Sequence, residues 1–174
     1  MLSRFAGFAF LRFCIFRFMQ LNTYLRDTFL FNDATNLAVL KKIRQLSEPA
    51  EAIRLFSHLL NSQHKWWARI MQDPKAPAMS WWDPVYGLDQ LEAEWSKSLR
   101  PWLNYLDQQT EDQLSTEVSF SGLDNVLWAA SPKDIMLQLN YHSIHHRAQI
   151  QTILRQQGIE PDFVDYIGTR YRKM

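Results

Sequence analysis

Cysteine is nearly missing from this 174-residue chain: Cys14 is the one example. A lone thiol excludes an intrachain disulfide framework, a thiolate zinc cluster and a CxxC redox pair, so any metal site must draw on histidine and carboxylates. Glycine and proline are also scarce, at five and seven. No GxGxxG or GxxxxGK loop is present, which sets nucleotide-binding α/β folds aside. Nor is there an excess of either charge. With 19 basic and 18 acidic residues the formal net charge is +1, leaving no electrostatic reason to expect a nucleic-acid partner. Long uncharged apolar runs are missing too. The segment MLSRFAGFAFLRFCIFRF is dense in Phe, but Arg4, Arg12 and Arg17 interrupt it. They break both the roughly 20-residue apolar stretch of a spanning helix and the order of a secretory signal. Its acid-free, Arg-rich composition is that of an interfacial or transit-type segment; the plainer alternative is that translation starts at Met19. Residues 1–19 are therefore expected to be an N-terminal extension, and residues 20–174 one helical domain without a membrane span. What the chain does have is 47% hydrophobic residues, with seven Trp and eleven Phe, which suits one helical core packed by bulky rings.

Apolar spacing near 3.6 marks four long helices. Leu25, Phe29, Leu37, Leu40 and Ile43 place the first between Asn22 and Leu46, with Lys41, Lys42 and Arg44 at the end the helix dipole favours for cations. Ser47 and Pro49 start the second, carried by Ile53, Phe56, Leu60, Trp67 and Met71 and ending before Asp73. The stretch DPKAPAMSWWDPVYG, Asp73 to Gly87, is expected to be an ordered crossover loop packed by its own rings. Leu88, Leu91, Trp95, Leu99, Trp102 and Leu106 mark the third helix, with a kink expected at Pro101. STEVSFSG alternates polar and apolar residues and predicts a short extended segment or strand pair. Ser131, Pro132 and Asp134 then start a fourth helix that stops at Gly158. Helices of about 22 to 27 residues, each about 35 to 40 Å long, predict an all-α fold. Its form is a four-helix bundle of the up-down-down-up type, with a long crossover loop and a short extended segment before the last long helix.

On that last helix Ile135, Leu139, His142, His146, Ile150 and Ile153 share one stripe about 80° wide. The two histidines thus face inward, one turn apart, at the spacing by which one helix offers two imidazoles to one ion. His145 lies off the stripe. Buried imidazoles need partners, since an unpaired nitrogen costs on the order of 1 to 3 kcal/mol. A third ligand must come from another helix, and the candidates are His58 and His64. The helical wheel prefers His64, which shares the face of Ile53, Leu60 and Met71. His58 lies on the flank with Leu55, Ser62 and Trp66. Periodicity leaves the choice open.

From about Thr23 to Tyr171 the chain resembles the DinB/YfiT-like family of small metal-binding four-helix bundles. The likeness is strongest in NYHSIHHRAQIQTILRQQGIEPDFVDYI, which combines the HxxxH pair, Arg147 and Gln149, the helix-ending Gly158, and Pro161, Asp162, Asp165 and Tyr166. In LFSHLLNSQHKWWARI the family's helix-two histidine, followed eight residues later by Trp, falls on His58 and Trp66. One departure is Ala34, where the family often has Trp. The resemblance implies that His58, His142 and His146 hold a divalent ion, zinc or nickel, with water in the open positions. His64 then becomes a core or supporting histidine. It also implies a cytoplasmic homodimer, and for some relatives a thiol-dependent transferase or isomerase activity.

Three neutral imidazoles leave the full charge of such an ion to polarise what fills its open positions. The leading expectation is a metal-dependent S-transferase, in which a low-molecular-weight thiol attacks a small electrophile, with no general base assigned. Arg147 is read first as a solvent-facing residue, and otherwise as a group that attracts the thiol's carboxylates. The alternatives are a metal-dependent hydrolase, weakened because Ser62 and no carboxylate follows His58 by one turn, and a non-catalytic metal-binding stress-response dimer.

Overall fold

The computed structural model describes residues 20–122 and 126–174. The expectations for residues 1–19 lie outside them. Four long helices dominate: α1 (Leu21–Ile43), α2 (Ala50–Ile70), α3 (Leu91–Gln108) and α5 (Pro132–Gln156). A five-residue helix α4 (Glu111–Ser115) and an antiparallel pair, β1 (Val118–Ser121) and β2 (Leu127–Ala130), lie between α3 and α5. Helix α1 packs against α3 and α5, and α2 packs against the same two. Among the described residues no helix is long and apolar enough to cross a membrane.

Local chemistry sets the ends of α5. Ser131 caps its start by accepting the Asp134 N–H, with Pro132 in the first turn, and Gly158 follows its end at φ 76°, a conformation that disfavours any residue with a Cβ. Helix α3 continues through Pro101 with Trp102 buried behind it. The carbonyl that Pro101 leaves unpaired is that of the exposed Lys97, so water can serve it. Helix α4 was not foreseen. Thr110 and Gln113 form a reciprocal capping box, a signal legible as Thr-x-x-Gln.

Apolar packing falls into two clusters. One joins Leu40, Ile43, Phe56, Leu60, Trp95 and Leu154; the other joins Leu25, Phe29, Trp102, Leu106, Ile135 and Met136. Many of the buried polar residues lie on α2, which is covered around most of its circumference. Ser57, His58, Asn61, Ser62, Gln63 and Lys65 are all buried there. Several of these side chains hold the loop that follows. The Tyr86 N–H donates to Ser57 Oγ (3.1 Å), Asn61 Nδ2 donates to the Pro84 carbonyl (3.1 Å), and Lys65 Nζ donates to the Met79 carbonyl. Loop 73–87 is thus ordered as expected, but by the polar face of α2 as well as by its own rings.

Candidate metal centre

His58 from α2 and His142 and His146 from α5 meet at the seam between these helices, each offering a ring nitrogen, all within 4.8 Å of one another. The Nε2 atom of His142 lies 3.0 Å from that of His58 and 3.0 Å from that of His146. His58 and His146 are buried, 7% and 8% exposed, and His142 is partly exposed. The flank of α2 that carries His58, and not its most apolar face, is the one turned to α5. His64 therefore stands apart from the cluster, half-buried, where the nearest charge acting on it is that of Glu94 on α3. His145 is exposed, with its ring 4.9 Å from that of His146.

Hydrogen bonds on the far side of two rings fix which nitrogens face inward. Nδ1 of His58 lies 2.7 Å from the Trp81 carbonyl, which can only accept, so Nδ1 carries the hydrogen. Nδ1 of His146 donates in the same way to Gln149 Oε1 at 2.6 Å. In the neutral rings both Nε2 atoms are then lone pairs aimed at His142 Nε2. That nitrogen has at most one hydrogen and can satisfy one neighbour, leaving the other contact lone pair against lone pair. Protonation is opposed by the surroundings. Burial pushes all three pKa values down, that of His142 to about 4, with the neighbouring imidazoles adding to the effect. The donor set therefore fits a cation that accepts three nitrogen lone pairs. The two 3.0 Å separations agree, because two ligands about 2.0–2.1 Å from one ion and at about 90–109° to each other lie about 2.8–3.4 Å apart.

The surroundings orient the cluster further. Trp82 stacks on His58 with ring centroids 3.9 Å apart, and the Arg54 guanidinium sits 4.4 Å above Trp82 while pairing with Glu51. On the other side a cavity of about 240 Å³ opens beside His58 and His142, walled by Ser62, Trp66, Trp81, Gln138 and Leu139. The Ser62 hydroxyl donates to the His58 carbonyl, 2.7 Å away. The Trp81 carbonyl is a contact that sequence cannot show, because every residue has one. Gln149 was visible only as part of the resemblance.

Arg147 requires a correction. It is 4% exposed, not solvent-facing, and its Nη1 donates to Asn32 Oδ1 (2.9 Å) and Asn36 Oδ1 (3.0 Å) on α1. Asn32 and Asn36 read as surface residues on polarity alone, and the helix they face is invisible in the pattern of α5. Arg147 thus lies on the α1 side of α5, away from the histidine cluster.

A sequence model described as the DinB family matches residues 41–173, a span that includes α2, α3, α5 and all three histidines. No curated protein and no solved structure matches the chain.

Proposed function

The chain belongs to the DinB family, and from that premise we propose that His58, His142 and His146 hold one divalent ion, zinc or nickel, at which a low-molecular-weight thiol is activated for transfer to a small electrophile. The observation that carries the reading is the convergence of three ring nitrogens from two helices, with the inward lone pairs of His58 and His146 set by Trp81 and Gln149. A divalent ion there supplies Lewis acidity that lowers the pKa of a coordinated thiol.

The residues of the chain do the rest. Neutral imidazoles contribute no charge of their own, so the cation's charge is left to act on its open positions. Trp81 and Gln149 hold two of the rings in their ligating orientation, as partners of metal-bound histidines commonly do. Trp66, Trp81 and Leu139 give the neighbouring cavity apolar walls suited to the electrophile's body. Among the described residues no carboxylate lines that cavity, which favours a thiol that needs no general base over the hydrolytic alternative.

The same proposal takes residues 20–174 as one domain of the up-down-down-up type, working as a cytoplasmic homodimer. Monochlorobimane offered with a panel of small thiols tests the chemistry. The sulfur–carbon bond forms as the carbon–chlorine bond breaks, chloride leaves, and the thiol proton passes to solvent. Wild type is expected to accelerate the reaction with at least one thiol, and His146→Ala is not. Equal rates for both proteins overturn the transferase reading. Elemental analysis of untagged protein without a stoichiometric metal overturns the ion itself.

A further inference from the structure

Helix α5 has a second buried polar seam, on its α1 side. Arg147 lies there with no carboxylate within ion-pairing distance among the described residues; its partners are the neutral amides of Asn32 and Asn36. Both of its hydrogen bonds leave from Nη1, so the donors on Nε and Nη2 remain for another acceptor. A buried guanidinium without an anion is costly, and neutral dipoles offset only part of that cost. Burial alone pushes the Arg147 pKa down, to about 10, and leaves it charged at neutral pH.

A cavity of about 160 Å³ lies against Arg147 between α1 and α5. Phe31, Leu137, Ile144 and Tyr166 give it largely apolar walls. Tyr166 comes from the C-terminal segment, packed edge-on to Phe31 with ring centroids 5.2 Å apart. Asn140 also lines the cavity, two helical turns before Arg147. Its Nδ2 donates to Thr28 Oγ1 at 2.9 Å, whereas its Oδ1 is buried and has no hydrogen-bond partner. The cavity therefore has a cation at one end and largely apolar walls, while the unpartnered Asn140 Oδ1 is turned away from it, buried from solvent.

We propose that this cavity binds an organic carboxylate with an apolar body. The carboxylate pairs with the Nε and Nη2 donors of Arg147, and the apolar body lies between Phe31, Leu137, Ile144 and Tyr166. None of the three proposed metal ligands lines the cavity, so the site is separate from the metal centre. The proposal does not depend on the transferase reading.

Calorimetry with phenylacetate and phenylacetamide tests it, using chelator-treated protein and the His142→Ala variant so that no carboxylate binds through a metal ion. Phenylacetate is expected to bind one per chain and the amide at least about tenfold more weakly. Ile144→Trp, at the half-exposed wall of the cavity, is expected to remove binding while the melting temperature stays at the wild-type value. Four outcomes overturn the proposal: no binding of the acid at millimolar concentration, equal binding of acid and amide, undiminished binding in Ile144→Trp, or loss of binding in His142→Ala.

Discussion

Helix α5 presents one buried polar seam to α2 and another to α1, and their needs are opposite. On the α2 side, lone pairs of neutral imidazoles converge and no side chain of the described residues brings a cation among them. On the α1 side, a guanidinium is buried among amides and no side chain of the described residues brings an anion. A chain that uses its polar residues only to finish its own core pairs them with each other. Here Arg147 directly follows His146 in sequence, yet the two face different helices and leave each other's need unmet.

The largest expected effect comes from supplying and then removing the cation. An ion present at about 1,000 times its Kd stabilises the fold by about 4 kcal/mol. For a chain of this size that is roughly 8–16 °C in Tm. A chelator should lower the melting temperature of wild type by such an amount and leave His142→Ala where it was. The same response in both proteins would break the comparison. Next in size is Arg147→Met, which leaves the Asn32 and Asn36 carbonyl oxygens without their strongest donor. A loss of about 2–4 kcal/mol in urea unfolding is expected, with metal stoichiometry unchanged. Loss of the metal in that variant would show the seams to be one network.

Gln149→Leu should weaken metal affinity by about 10- to 100-fold without changing the number of ions bound at saturation, because His146 loses the acceptor that holds its ring. Competition against a chromogenic chelator reads this directly. The smallest effect is expected from pH acting on metal-free protein. His142 has a folded pKa of about 4 against an ordinary 6.5, so between these values the unfolded chain binds more protons than the folded one. The stability in question is fully present above pH 6.5 and is lost as pH falls toward 4. The urea midpoint should therefore drop from pH 7 to pH 5, and His142→Gln should flatten that drop. An equal drop in both would assign it to other groups.

Sequence made parts of this legible and hid others for physical reasons. Helix α5 could be bounded from Ser131, Pro132, Asp134 and Gly158 because caps act locally, and its histidine pair could be seen because i, i+4 neighbours must share a face. The third histidine of the cluster was different. A helical wheel weighs apolarity, and on a helix buried around most of its circumference the apolar side need not be the side that faces a given neighbour. His58 therefore emerged from a family likeness and not from periodicity. Arg147 was misread because charge predicts exposure unless the facing helix supplies acceptors, and Asn32 and Asn36 are more than a hundred residues away along the chain. Five-residue α4 was too short for periodicity to register, although its capping pair stood in plain view.

Loop 73–87 contributes both the carbonyl that fixes the His58 ring and the indole that covers it. Any excursion of that loop frees the ring to turn and uncovers it in the same movement. Exchange of an ion with solvent would then be paced by the loop's detachment from Ser57, Asn61 and Lys65, and off-rates should rise with amide exchange across residues 79–86 when any of those three anchors is cut.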